Sequence, residues 1–170
     1  MLPEDEALIR GLEAWVVKVA KGNAPALTRQ LANPSTAGEV LVARAEMVSG
    51  MDHLRSALYH AARAIKDGRN SSDSLAMETL LYASGERQLS AAIKKMSPDE
   101  TSDRIVVARL RGTALEPASD WELVPEKSGD QALESLTKFG ISKREVETVR
   151  DAKAIDLVLE RVALVDILKK

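Results

Sequence analysis

The chain has 170 residues, 45% of them hydrophobic and 29% charged, with a net charge of −2: enough apolar material for one domain with a real core, while two full domains would be a squeeze. Its zero cysteines exclude disulfides, thiolate nucleophiles and cysteine-ligated zinc or iron–sulfur centres, and no run approaches the roughly 18 uncharged apolar residues of a membrane span. The opening Met-Leu-Pro-Glu-Asp-Glu is acidic, the opposite of a secretory leader, so a reducing cytoplasm is the expected home.

In chain order, Leu8-Ile-Arg-Gly-Leu-Glu-Ala-Trp-Val-Val-Lys-Val19 is β-branched and aromatic enough to predict one strand, or two broken at Gly11. A short helix from Asn23 to Leu31 stops at Asn33-Pro34, and Glu39 to Val48 reads as a strand. Ser49-Gly50 turns the chain into a helix from Met51 to Lys66. Its core stripe is Leu54, Ala57, Leu58, Ala61, Ala64 and Ile65, with Arg55, Tyr59, Arg63 and Lys66 opposite. Arg69 to Asp73 is a loop that offers capping side chains to the next helix.

Ser74 to Ile93 then reads as a helix, a small-residue corner at Ser84-Gly85 and a second helix. On a wheel the second helix gathers Leu89, Ala92, Ile93 and Met96 on one side. Arg87, Ala91 and Lys94 fall on the other, with Lys95 close by. Beyond a polar turn at Ser97–Asp103, Arg104 to Leu110 is a strand and Asp120 to Val124 a short edge strand closed by Pro125. Asp130 to Phe139 is helical with Gly140 as its cap, and Ser142 with Glu145 makes a capping box for a helix to Val149. A long helix from about Ala152 to Lys169 ends the chain. The strands lack a strict βαβ rhythm, so the expectation is one α/β domain of the α+β kind, 1–170, with a small mixed or antiparallel sheet covered by helices.

Between Met51 and Met96 seven Lys or Arg stand against five Asp or Glu, and this is the only net-positive third of the chain. The basic face there is either a solvated helix surface or a phosphate-contacting patch with Tyr59 as the one aromatic able to stack on a base. Aromatics are only 3% of the chain, which argues against a multi-base stacking platform. The terminal helix carries two apolar stripes. Ile155, Val158, Leu159, Val162 and Val165 are expected in the core, and Leu157, Leu164 and Leu168 lie on the far side. Such a helix is either sandwiched within its own protein or offers one face to a partner.

Nothing in the pattern builds a catalytic set. His53 and His60 are seven apart on one helix, where a metal pair wants three or four, so both are expected as surface or half-buried histidines and no metal site is predicted. Glu78, mid-helix in an apolar run, is expected to pair structurally with Arg87 or a backbone amide; its alternative is a general base in a small enzyme using Glu78, Arg87 and a histidine. A cleft gathering those three would favour that enzyme. No cofactor motif is present.

The segment Ser74-Leu-x-Met-Glu-x-Leu-x-x-x-Ser-Gly-x-Arg-Gln-Leu-x-x-Ala-Ile93 resembles the signature of the small tRNA-binding subunit of the KEOPS complex, the family of the PRPK-binding protein. Leu8-Ile-Arg-Gly-Leu12, Leu159-Glu-Arg-Val-Ala-Leu-Val165 and the strand-then-helix Val40–Ala64 are similar to the same family. The resemblance implies a non-catalytic subunit of a heteromeric complex that forms threonylcarbamoyladenosine in tRNA. In that role it would dock on the atypical kinase/ATPase subunit, support its ATPase activity and recruit tRNA by the 3′ CCA end. Wheel geometry with this role assigns tRNA contact to Arg55, Arg63, Lys66, Ser84, Gly85, Arg87, Ala91, Lys94 and Lys95, and the kinase interface to Leu157, Leu164 and Leu168. The remaining alternative is a protein-interaction adaptor with no RNA role.

Overall fold

Three β-branched runs pair into the centre of the molecule because each has apolar side chains on both faces. These are β1 (Glu13–Lys18), β2 (Glu39–Arg44) and β3 (Arg104–Arg111). With the two-residue β4 (Glu122–Leu123) they form an antiparallel sheet in the order β2-β3-β1-β4. The structure, a computed structural model, describes residues 3–33, 39–112, 115–126, 133–149 and 154–169. The expected α+β class with an antiparallel sheet holds.

The period-two alternation of a strand sends neighbouring residues to opposite layers. Trp15, Val17, Val40, Val42, Ile105 and Val107 face one side, where α2 (Ala24–Leu31) and Leu115 cover them. Ala14, Leu41, Ala43, Val106, Ala108 and Leu110 face the other, against the main helical layer. That layer contains α3 (Met51–Lys66), α4 (Leu75–Ser84) and α5 (Leu89–Met96), then α6 (Leu133–Lys138), α7 (Lys143–Thr148) and α8 (Ala154–Leu168). Leu54, Ala57, Leu58, Ala61 and Ala64 of α3 are fully buried, as the wheel predicts, and each Leu contributes about 1.5–3 kcal/mol. The alanines between them let α4 approach closely. Helix α4 is apolar all round and buried from Glu78 to Ser84, wrapped by α3, α5, α8 and β2.

Two expectations are corrected. Leu8, Ile9 and Arg10 end a helix, α1 (Pro3–Arg10), and do not begin the first strand. Proline in the first turn, Glu4, Asp5 and Glu6 beside the positive helix end, and an Arg10–Glu6 ion pair outweigh the β-branched Ile9. The second strand stops at Arg44, and Ala45–Met47 is a 3₁₀ turn that aims the chain at α3. The terminal helix begins at Ala154, and the last helix before Gly140 spans Leu133–Lys138; the earlier positions expected to be helical (130–132 and 152–153), with Pro34, lie outside the described residues. The capping box is present as read: Ser142 Oγ accepts from the Glu145 amide at 3.2 Å, and Glu145 returns a bond to the Ser142 amide at 2.8 Å.

Candidate functional site

Ser74 caps α4 by accepting from the Met77 amide, and Gly85 ends it in the left-handed region at φ 68°. A Cβ on Gly85 would be strained there and would lie 3.3 Å from the Arg161 Cβ. The corner is thus set by backbone need and by the packing of α8. Glu86, Arg87 and Gln88 are not helical; α5 starts at Leu89 with Gln88 as N-cap, whose side chain makes no capping hydrogen bond. Arg87 therefore stands at the open N-terminal end of α5, not on its back face as the wheel has it. Ala92 and Met96 are buried and Leu89 is half-buried, whereas Ile93, in the same predicted stripe, is 38% exposed.

The predicted tRNA contacts do not form one surface. Glu86, Arg87, Gln88 and Ala91 line a groove of about 500 Å³ whose other wall is Leu168 and Lys169. Lys94 is exposed on α5. Lys95 is committed inward: its ammonium donates to the Ser84 carbonyl at 2.7 Å and to Glu86 at 3.0 Å, above the Phe139 ring. Ser84 is buried and donates its hydroxyl to the Leu81 carbonyl, so neither Ser84 nor Lys95 offers a free polar group, and Gly85 is half-buried. On the outer side of α3, Arg55 is held by Glu126 in a two-pronged pair at 2.6 and 3.0 Å. Arg63 lies over the Tyr59 ring and donates to its hydroxyl at 3.2 Å, and Lys66 is exposed. None of these three lines the groove.

The groove's second wall, the last turn of α8, is pinned from beneath. Lys169 Nζ pairs with Glu78, the lysine side chain 7% and the glutamate side chain 0% exposed, and lies 4.9 Å from the Tyr82 ring centre. The second Glu78 oxygen accepts from the amides of Ser71 and Ser72, each at 3.0 Å. The backbone-amide reading of Glu78 holds, and its partner cation is Lys169. Arg87 instead donates Nε–H to the Leu168 carbonyl at 3.1 Å. Asp166 accepts from the Tyr82 hydroxyl at 2.6 Å, meets His60 Nδ1 at 2.7 Å and pairs with Arg69 at 3.2 Å. Burial opposes the Asp166 charge, yet the bonds from Tyr82 and His60 prevail and hold its carboxyl below the ordinary range; burial pushes the Tyr82 phenol up.

The far stripe of the terminal helix is graded along its length. Leu157 is buried, Leu164 half-buried and Leu168 39% exposed, while Ile167, absent from the predicted stripe, is 65% exposed. Leu157 is withdrawn from any partner because it packs into the main hydrophobic core. In the near stripe Val158, Val162 and Val165 are buried, while Ile155 and Leu159 are only half-buried. Asp166 and Lys169 were also missed; their signal is that both extend the core line through Val162 at helical spacing, where a charge implies a buried partner. His53 is a further correction: it is fully buried, accepting from the Ser49 amide at 3.1 Å and bonded to the Ala83 carbonyl at 2.9 Å. Only His60 fits the half-buried expectation.

Glu78, Arg87 and the histidines do not share a cleft: Glu78 is sealed and saturated, Arg87 lies on the surface, and each histidine is bound elsewhere. Among the described residues no three His, Asp or Glu side chains could hold a metal ion, and no helix is long and apolar enough to cross a membrane. What the geometry does provide is a shallow groove and an apolar helix turn beside it, the equipment of a binding protein. The family model described as Kinase binding protein CGI-121 matches residues 18–164, and the chain belongs to that family. No curated protein matches the chain.

Proposed function

We propose that this kinase-binding protein is a non-catalytic subunit of a KEOPS-type assembly in the cytoplasm, docking on the atypical kinase subunit and recruiting tRNA by its 3′ CCA end. The observation that carries the RNA half is the placement of Arg87 and Ala91 in one groove at the first turn of α5, which the Gln88 side chain does not cap. Helix N-terminal amides and a guanidinium are a fit for phosphate oxygens, and a groove of about 500 Å³ suits a short single strand. Lys94 adds a second exposed cation one turn further along α5. The kinase half rests on the family and is assigned to Leu164, Ile167 and Leu168, apolar residues near the end of α8 that stay at least partly accessible.

The deciding measurement compares intact tRNA with tRNA lacking its CCA end in a gel-shift titration. The trimmed tRNA is expected to bind at least about tenfold more weakly, a loss of roughly 1.4 kcal/mol. Arg87→Glu with Lys94→Glu should weaken binding of intact tRNA and reduce the slope of log K against log salt by about one per lost phosphate contact. Equal binding of the two tRNAs would remove the CCA assignment, and binding of neither would leave the adaptor without an RNA role as the reading. For the kinase half, Ile167→Glu is expected to abolish co-purification with the kinase subunit while the circular dichroism spectrum is kept; an intact complex removes the α8 assignment.

A further inference from the structure

The two surfaces just assigned meet in one helical turn. Asp166 and Lys169 point inward and are fixed by Tyr82, His60, Arg69 and Glu78. Ile167 and Leu168 point outward from the same turn, 65% and 39% exposed. Leu168 is common to both sides: its residue walls the groove, and its carbonyl takes the Arg87 Nε–H at 3.1 Å. The groove is open above Leu168, so Arg87 works there in water, where its attraction for a phosphate is weakest.

We infer that a partner seated on Ile167 and Leu168 builds the missing upper wall of the groove, so that kinase docking and RNA binding strengthen each other. The inference rests on the preceding reading and adds the sign of the coupling. An apolar partner surface over Leu168 excludes water from the rim and lowers the local dielectric around the Arg87–phosphate contact. The pins beneath the turn keep Leu168 from swinging away as it is covered. Linkage then requires the same factor in both directions.

The test uses the full chain, the kinase subunit and a short RNA strand ending in CCA, with both affinities measured in the presence and absence of the third component. The strand is expected to bind about tenfold more tightly to the complex than to the chain alone, and the kinase subunit about tenfold more tightly to the RNA-loaded chain. Asp166→Asn, which weakens the pins without touching either partner, should shrink that factor. Equal affinities with and without the third component overturn the coupling and leave the two binding sites standing. A kinase subunit that binds the strand as well alone as in the complex also overturns it. No binding of the strand to the chain under any condition removes the RNA reading itself, and the coupling with it.

Discussion

Replacing Glu78 with Gln is expected to destabilise the protein by about 3–5 kcal/mol, because it leaves the buried Lys169 ammonium without a counter-charge. The substitution isolates the ionic part of the contact. Both backbone amides, from Ser71 and Ser72, bond to the same Glu78 oxygen, so the single oxygen of Gln can keep them. The other Glu78 oxygen, the one that meets Lys169, becomes an NH₂ that opposes the ammonium. With the Lys169 side chain only 7% exposed, water cannot solvate the orphaned charge without displacing the last turn of α8. Adding Lys169→Met removes that charge and leaves one buried NH₂ unpaired, at a cost of about 1–3 kcal/mol. Urea unfolding should therefore place the single variant far below the wild type and the double variant between them. A single variant as stable as the wild type would show that Glu78 acts only through the two amides, and a double variant no more stable than a destabilised single one would show that the Lys169 ammonium is not the orphaned charge.

Much of this fold was legible because periodicity and punctuation agreed. The α3 stripe and its span from Met51 to Lys66, the Arg104 strand and the Ser142–Glu145 capping box all rest on local rules that tertiary packing had no reason to override. The misreadings share a different cause. A wheel assumes that every residue in the window is helical, so it carried Arg87 around the back of α5, when Gly85 had already released three residues from the helix. Lys95 was read as a surface cation because its acceptor, the Ser84 carbonyl, is a backbone atom that composition cannot reveal. Glu78 was read as a structural residue bonded to a backbone amide, yet its ion partner is 91 residues away and no spacing rule reaches that far. For the site, the Ser84-Gly85 corner was readable and the groove was not, because its second wall is the last turn of α8. Only a charge on an apolar helix line, as at Asp166 and Lys169, hints at such a closure.

His53 supplies the second large effect, in acid. The Ser49 amide points at Nδ1, so that nitrogen must be the acceptor and Nε2–H the donor to the Ala83 carbonyl. A second proton would have to sit on Nδ1 against an amide hydrogen, inside a fully buried site. Burial is the main cause that lowers the pKa from 6.5 to about 4; the bond to Ala83 opposes the shift and the nearby Lys95 charge adds to it. The unfolded chain binds this proton near pH 6.5, whereas the folded chain resists it until about pH 4. Stability from this group is therefore fully present above pH 6.5 and is lost as pH falls through that window, at about 1.4 kcal/mol per unit and about 3 kcal/mol in all. Urea midpoints of the wild type and His53→Gln should diverge at neutral pH and converge towards pH 4, since Gln has no proton to take. Parallel curves, or a His53 imidazole titrating near 6.5 by NMR, would refute the assignment. Because the Ala83 carbonyl lies immediately before Ser84-Gly85, the loosening should start at the corner that presents Arg87, and hydrogen exchange of the Gly85 amide, bonded to the Tyr82 carbonyl at 3.1 Å, should accelerate before the β3 amides respond.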